Sequence, residues 1–211
     1  MSTTIYFIRH SEPMNVKNDK SKDNFQLKNE KMILSIEGER RAKILSENKE
    51  LENIDILYCS NYIRAISTAK YIANKNNVDI NVLDDFGERK FGVNSFDEIQ
   101  RDFGILQLED ENYKMPNGES KKEVQERMFN SLIKVLSDNK NKRIAVVSHG
   151  TAMMFLFLKW CDLILKEDWS YTLSFYNKKV FEGKISAPEV FKLTFDNNFN
   201  LTNIENIKVK F

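Results

Sequence analysis

The chain has 211 residues, with 32 Lys and Arg against 31 Asp and Glu, and its net charge is +1. This balance produces no overall field that would draw the protein to nucleic acid or to an anionic membrane, so any anion site must be local. A chain of this length suits one domain with a sizeable core, and we expect a single domain over residues 1–211.

The cysteines and the apolar segments indicate a cytoplasmic protein without a membrane partner. Cys59 and Cys161 are too few for a disulfide framework and lack metal-ligand spacing. The first apolar run, residues 5–8, is too short for a signal peptide. The longest apolar segment, residues 151–165, contains two charged residues and is too short to span a membrane.

Short apolar runs rich in β-branched residues alternate with helical patterns along the chain. The runs predict strands buried on both faces, at residues 5–8, 54–58, 80–83 and 144–147. Apolar residues at helical spacing predict helices between them, in segments 35–51, 62–73, 119–136 and 151–158. The last segment is apolar on all sides, as expected for a helix packed deep against a sheet.

Polar residues in front of three helical segments predict where these helices begin. Ser35 is a candidate N-cap of the first helix, and Ser60 or Asn61 of the second. Ser120, followed by Glu123, predicts a capping box at the start of the third helix.

The alternation of strands and helices predicts an α/β fold, a three-layer α/β/α sandwich with a mostly parallel central sheet. Near the C-terminus, two strand-like runs flank an Asp-Asn-Asn turn signal at 196–198 and predict an antiparallel edge hairpin. Segments 93–117 and 166–188 are less regular, and we interpret them as a lid or an insert. Ligands of such sheets bind at the carboxyl ends of the strands.

Both histidines of the chain come at the ends of predicted strands. Arg9 and His10 follow the first run, and His149 and Gly150 follow the fourth. A single histidine is more often a satisfied or solvent-facing side chain than a functional one. If the two strands are parallel neighbours, however, the imidazoles face each other at the carboxyl edge of the sheet, and the pair predicts a site.

A metal centre is the first alternative for a pair of histidines. The chain contains no His-Glu-x-x-His and no Cys-x-x-Cys, and a zinc site generally needs three or four ligands at recognisable spacings. The acidic clusters at 83–85 and 108–111 offer oxygen ligands, but such runs are more often solvated faces. We therefore expect no metal and no other cofactor.

Arg64 lies near the start of the helix that follows the second predicted strand. The start of such a helix attracts anions because its first amide hydrogens lack partners. An arginine there adds a bidentate fork suited to phosphate oxygens. Taken alone, Arg64 is more often a surface charge.

Six short motifs, in this order, resemble the motif series of the histidine phosphatase superfamily, in its phosphoglycerate mutase-like branch. They are RHSEP (9–13), LSIEGERRA (34–42), CSNYIRAISTA (59–69), FGERKFG (86–92), PNGES (116–120) and VVSHG (146–150). The ordered series covers roughly residues 4–160 and is far more specific than any one motif. The C-terminal hairpin also resembles the usual ending of this family.

The resemblance implies a role for each matching residue. His10 would be the nucleophile that takes the phosphoryl group. Arg9, Arg64 and His149 would hold the phosphoryl oxygens, and Glu88 would protonate the leaving oxygen. These roles agree with elementary chemistry, since a neutral imidazole attacks phosphorus, guanidinium groups stabilise the oxygens and a carboxylic acid protonates the alkoxide.

The activity that the resemblance implies is a metal-independent phosphoric monoester hydrolase of the histidine acid type. It would act through a phosphohistidine on a small-molecule phosphate ester. Nucleic acid and membranes are not expected partners, given the charge balance. The sequence leaves the physiological substrate and the oligomeric state open, with a homodimer as one alternative.

Several positions depart from the family pattern around the nucleophile. Ser11 stands where the family commonly has glycine, and its side chain would either crowd the phosphate or donate a hydrogen bond to it. Pro13 replaces a hydroxyl residue, and Asn15 comes one position before the usual asparagine, with Val16 in that place. We keep Ser11, Asn15 and Gly150 as candidate substrate contacts.

The identity of the general acid and the type of reaction each have alternatives. Asp84 and Asp85 lie close to Glu88, and a shift of one turn would exchange their roles. A phosphoglycerate mutase must keep water out and usually carries longer basic inserts, whereas the segment after Glu88 is short and mixed in charge, so we favour hydrolysis. A non-catalytic phosphate-binding protein is the other alternative, although binding alone would need only the arginines.

Overall fold

The computed structural model describes residues 2–16 and 20–211. The strands in these ranges are β1 (Thr3–Arg9), β2 (Ile56–Cys59), β3 (Ile80–Val82), β4 (Arg143–Ser148), β5 (Asp162–Leu165), β6 (Tyr171–Phe175), β7 (Lys178–Gly183), β8 (Glu189–Phe195) and β9 (Leu201–Ile207). The α-helices are α1 (Phe25–Lys31), α2 (Ile36–Ser46), α3 (Ile63–Asn76), α4 (Phe103–Glu109), α5 (Lys121–Asp138) and α6 (Gly150–Phe157). No helix of this described part is both long and apolar enough to cross a membrane.

A six-stranded sheet with the order β3-β2-β4-β1-β8-β9 forms the centre of the fold. Its first four strands run parallel to one another. The last two strands form an antiparallel hairpin that pairs with β1. The four predicted strands, the C-terminal edge hairpin and the α/β fold class are therefore confirmed.

Helices cover both faces of this sheet because consecutive residues of its buried strands are apolar, so that apolar side chains point to both faces. In β1, Ile5 and Phe7 belong to the core beneath α5 and α6, while Tyr6 and Ile8 belong to the core beneath α2 and α3. All four side chains are fully buried. Each such side chain contributes about 1.5–3 kcal/mol by leaving water.

The caps that the sequence predicts for α2 and α5 are confirmed. The Ser35 side chain accepts a hydrogen bond from the Gly38 amide. Ser120 and Glu123 form the complete capping box, each side chain accepting from the backbone amide of the other. The predicted first helix is shorter than expected, since α2 ends at Ser46 and a separate 3₁₀ turn follows at Lys49–Leu51.

Segment 166–188, which we predicted to be less regular, is largely regular structure. It contains β6 and β7, which join β5 in a separate antiparallel sheet. The hairpin turn is made by Tyr176 and Asn177, both with positive φ (46° and 62°), as two-residue hairpin turns require. Because no glycine marks this turn, the sequence pattern gave no hairpin signal.

The other less regular segment, 93–117, is closed at its base by two glycines. It holds a 3₁₀ turn (Phe96–Glu98) and α4. Gly92 has φ +75°, and a Cβ atom there would lie 2.1 Å from the Gly118 amide nitrogen. Only glycine fits this left-handed conformation and close approach, so the two ends of the segment meet.

Candidate active site

The parallel pairing of β1 and β4 places the two histidines side by side. Arg9 is opposite Ser148 in the register, so His10 and His149 leave the sheet at the same level. Their ring centroids are 5.0 Å apart. Both residues are buried, at 4% and 0% exposure. The sheet thus brings both histidines of the chain to one point on its carboxyl edge.

The hydrogen bonds of His10 determine which ring nitrogen is free to react. Its Nδ1 lies 2.7 Å from the Ser11 carbonyl oxygen, which can only accept, so Nδ1 carries the proton. Its Nε2 accepts a hydrogen bond from Arg64 Nε at 3.0 Å. The lone pair of Nε2 is therefore held on the side where the arginine lies.

His149 has a fixed tautomer for a similar reason. Its Nδ1 lies 3.2 Å from Arg64 Nη2, which can only donate, so the proton is on Nε2 and is donated to Ser60 Oγ at 2.7 Å. The Tyr62 ring packs on the imidazole at a centroid distance of 4.5 Å.

The prediction that Ser60 or Asn61 caps α3 was wrong, because Tyr62 occupies the N-cap position and makes no side-chain hydrogen bond there.

Burial keeps both imidazoles neutral. Loss of hydration lowers the pKa of His10 well below 6.5, and the charges of Arg64 and Arg9 lower it further. Loss of hydration also lowers the pKa of His149, with added contributions from His10 and Arg64. A neutral His10 has the electron pair that nucleophilic attack requires.

Arg64 is the cation that connects the two rings. It is 4% exposed, and besides the two imidazoles it donates through Nη1 to the Asn29 carbonyl of α1. Its guanidinium carbon lies 4.7 Å from the centroid of the Tyr62 ring. The first turn of α3 therefore holds this side chain in one orientation.

Arg9 presents a second guanidinium beside the same edge. It donates through Nη1 to the Ile185 carbonyl, while its buried Nε has no hydrogen-bond partner in the part of the chain that the structure describes. A Cβ atom on Gly150 would lie 3.3 Å from this Nε, so the glycine leaves room for the guanidinium. An unpaired buried donor is costly, and Arg9 also lines the cleft described below.

Glu88, in the loop that follows β3, contacts the first turn of α6 through hydrogen bonds. Its Oε1 accepts from the amides of Arg89 (2.9 Å) and Ala152 (3.0 Å), and its Oε2 accepts from that of Thr151 (3.4 Å). These amides hold the carboxyl group at the wall of the cleft described below.

The two alternative acids point elsewhere. The Asp85 carboxylate accepts a hydrogen bond from Ser131 on α5 at 2.5 Å. Asp84 is exposed, and neither aspartate lines the cleft beside the histidines. The structure thus brings Glu88, rather than Asp84 or Asp85, to the site.

Ser11 and Asn15 are placed differently from the other candidates. The Ser11 hydroxyl donates to the Gly38 carbonyl of α2 at 2.7 Å, and its amide donates to Thr68 Oγ1 at 2.9 Å. The side chain therefore joins the loop after β1 to two helices. Asn15 is exposed.

A cleft of about 220 Å³ opens next to this cluster. It is lined by Arg9, Glu88, Gly150, Thr151, Met154, Tyr171, Lys184 and Ile185. The last three residues come from the region of the second sheet, where the sequence offered no motif, so sequence reasoning missed Tyr171 and Lys184. Ser60 and Tyr62 were also missed as site residues, although they stand in the same motif as Arg64.

Two curated relatives are similar to this chain over much of its length. Phosphoserine phosphatase 1 of Hydrogenobacter thermophilus is 27% identical over 145 residues, which is 65% of this chain and 69% of the relative. An uncharacterised phosphatase of Bacillus subtilis is 31% identical over 120 residues, 57% of this chain and 60% of the relative.

Solved structures show the same fold at low identity. A mycobacterial glucosyl-3-phosphoglycerate phosphatase superposes with a TM-score of 0.65 at 16% identity, covering 98% of this chain and 97% of the other. A phosphoserine phosphatase mutant from Entamoeba histolytica, in complex with phosphoserine, gives a TM-score of 0.64 at 20% identity, covering 96% of each chain.

The family profile of the histidine phosphatase superfamily (branch 1) matches residues 5–186. This range contains every residue of the cluster, from Arg9 at the end of β1 to Gly150 at the start of α6. The chain belongs to the histidine phosphatase superfamily.

Proposed function

We propose that the protein is a phosphomonoester hydrolase that acts on a small phosphorylated metabolite through a phosphohistidine at His10. The observation that carries the proposal is the tautomer of His10. Its Nδ1–H is committed to the Ser11 carbonyl, which leaves the Nε2 lone pair directed toward Arg64. The membership of the family and the phosphatase relatives support the same reaction class.

In the first step, Nε2 attacks phosphorus while the ester P–O bond breaks. Once the phosphoryl group is bonded to Nε2, the Nε2 lone pair no longer accepts a hydrogen bond from Arg64. The phosphoryl oxygens accept it instead, so the guanidinium stabilises their negative charge. The unpaired Nε of Arg9 supplies a further donor. Ser11 accepts from Nδ1–H throughout and so stabilises the positive charge that develops on the ring.

Glu88 is the proposed proton donor to the leaving oxygen, because it lines the cleft into which the alcohol departs. Its proton passes to the alkoxide in the first step. In the second step a water molecule attacks phosphorus, the P–Nε2 bond breaks, and Glu88 takes the proton of the water. The sum of both steps is an alcohol and inorganic phosphate from an ester and water.

The test is to trap the phosphorylated enzyme. The protein is incubated with an aryl phosphate in the presence of EDTA, quenched in alkali, and the phosphoryl group is located by mass spectrometry. We expect it on His10, and we expect His10→Ala to lose both the label and the hydrolysis, while the surface variant Lys178→Met keeps both. Unchanged hydrolysis by His10→Ala would refute the proposal, and isomerisation of 3-phosphoglycerate without release of phosphate would replace it with a mutase.

A further inference from the structure

The cleft beside the histidines has two unlike walls. One wall is the first turns of α6, with Gly150, Thr151 and Met154. The other is made by Tyr171 of β6 and by Lys184 and Ile185, which follow β7. Arg9 and Glu88 also line the cleft. The second sheet therefore forms one side of the space that the alcohol part of a substrate would occupy.

Tyr171 brings an unused hydrogen-bonding group to this cleft. It is 8% exposed, and within residues 2–16 and 20–211 its hydroxyl has no hydrogen-bond partner. The hydroxyl oxygen is not fully enclosed, so a ligand in the cleft can reach it. Tyr171 and Arg9 line the same cleft, and the nearby guanidinium opposes the rise that burial causes in the pKa of the Tyr171 phenol.

Lys184 brings an unpaired cation. No carboxylate of the described residues lies within 4.0 Å of its ammonium group. Asp168 interacts with it only at longer range, and its Oδ1 accepts two hydrogen bonds from Ser170. By contrast, Lys166 and Lys179 of the same region both pair with Glu182.

We propose that this cleft selects phosphomonoesters whose alcohol carries a second anionic group on a short carbon chain, with Lys184 and Tyr171 binding that group. The inference rests on the proposed function, which puts the phosphate at His10. Met154 and Ile185 supply apolar contacts for the carbon chain between the two anions. A space of about 220 Å³ is below the roughly 300–1,000 Å³ of sites for drug-sized ligands, so the ester is small.

The second anion is either a carboxylate or another phosphate, and two matched pairs of ligands distinguish them. Phosphoserine differs from phosphoethanolamine by one carboxylate. 1,3-Propanediol bisphosphate differs from the monophosphate by one phosphate. Dissociation constants are measured by calorimetry on full-length His10→Ala, which does not turn the ligands over, and again with Lys184→Met, Tyr171→Phe or Lys178→Met added.

We expect the anionic ligand of at least one pair to bind about tenfold tighter than its partner, as for a hydrogen bond to a charged group. Lys184→Met should abolish that preference, and Tyr171→Phe, which removes one uncharged donor to the anion, should reduce it about fivefold. Lys178→Met, a surface lysine on β7, should keep it. Equal binding within both pairs, or a preference that survives Lys184→Met, would overturn the inference.

The anion site and the proposed phosphatase activity can be refuted independently of each other. Hydrolysis by the wild type without any preference in binding refutes the role of the cleft and leaves the phosphatase proposal intact. A preference lost in Lys184→Met, with no hydrolysis of any ester by the wild type, supports the anion site and refutes the phosphatase.

Discussion

The two halves of the site are built in opposite ways. The inner half, His10, Arg64 and His149, is at most 4% exposed, and all four imidazole nitrogens have partners within the fold. The outer half, Glu88, Tyr171 and Lys184, lines an open cleft, and the polar groups of Tyr171 and Lys184 have no close partner in the described chain. The inner half has the fixed geometry that the proposed chemical step requires, whereas the polar groups of Tyr171 and Lys184 are free to contact a ligand.

This difference follows from the elements that carry each half. The inner residues stand at the ends of two parallel strands and in the first turn of α3, and their positions are set by the sheet. The outer residues stand on the loop after β3 and on the second sheet. Substitutions in the inner half should therefore affect every substrate, and those in the outer half should affect substrates selectively.

The largest effect is expected from Arg64 in the inner half. Arg64→Lys keeps the charge but cannot bridge His10, His149 and a phosphoryl group at once, so kcat/KM for any phosphomonoester should fall about 10³-fold or more. The measurement is steady-state hydrolysis of an aryl and an alkyl phosphate. Arg101→Lys, an exposed arginine, is the matched control. Near wild-type rates in Arg64→Lys would show that the bridge is not needed.

Glu88 in the outer half should give a selective loss. Glu88→Gln removes the proposed proton donor, so kcat for an alkyl phosphate should fall about 10²–10⁴-fold, and kcat for an aryl phosphate with a good leaving group should fall much less. Exposed Glu126→Gln serves as the control. Equal losses for both esters would assign the acid role to another group.

The buried histidines predict how stability depends on pH. Their pKa values are well below 6.5 in the folded protein, so the unfolded chain binds more protons once the pH falls below about 6.5. The free energy of unfolding should then decrease by up to about 1.4 kcal/mol per pH unit for each histidine. Above pH 6.5 this contribution is constant.

Urea unfolding at pH 7.5, 6.5 and 5.5 measures this slope. The carboxylates with pKa lowered to about 2, Glu37 and Glu182, act only below their ordinary value of 4.5, outside this window. His10→Asn should remove the contribution of one histidine to this pH dependence. A stability that is flat from pH 7.5 to 5.5 would mean that the imidazoles are not buried as neutral groups.

The smallest effect is expected from a substitution of Ser11. It tests whether this residue contacts substrate or positions the loop after β1. Ser11→Ala removes the buried hydrogen bond to the Gly38 carbonyl and should lower the free energy of unfolding by about 1 kcal/mol. Urea unfolding and KM for an aryl phosphate are compared with Ser137→Ala, an exposed serine on α5. A raised KM with unchanged stability would return Ser11 to the substrate contacts.

The inner half could be predicted from the sequence because it depends on local signals and one parallel pairing. The runs that become β1 and β4 have the pattern of buried strands, and a histidine follows each one directly. The motif around Arg64 also placed this residue near the start of the helix that becomes α3. The identity of the proposed general acid was harder to predict, because the sequence alone does not show which of Asp84, Asp85 and Glu88 turns toward the site.

The amino-acid sequence by itself determined the four parallel strands, the helices between them, the position of both histidines at strand ends and the resemblance to the family, because apolar periodicity and short motifs are local properties of a chain. Only the tertiary structure decided the tautomer of His10, the commitment of Ser11 to α2 and the wall made by the second sheet. These features depend on contacts between residues far apart in sequence, such as Arg9 with Ile185, and a local pattern does not encode such contacts.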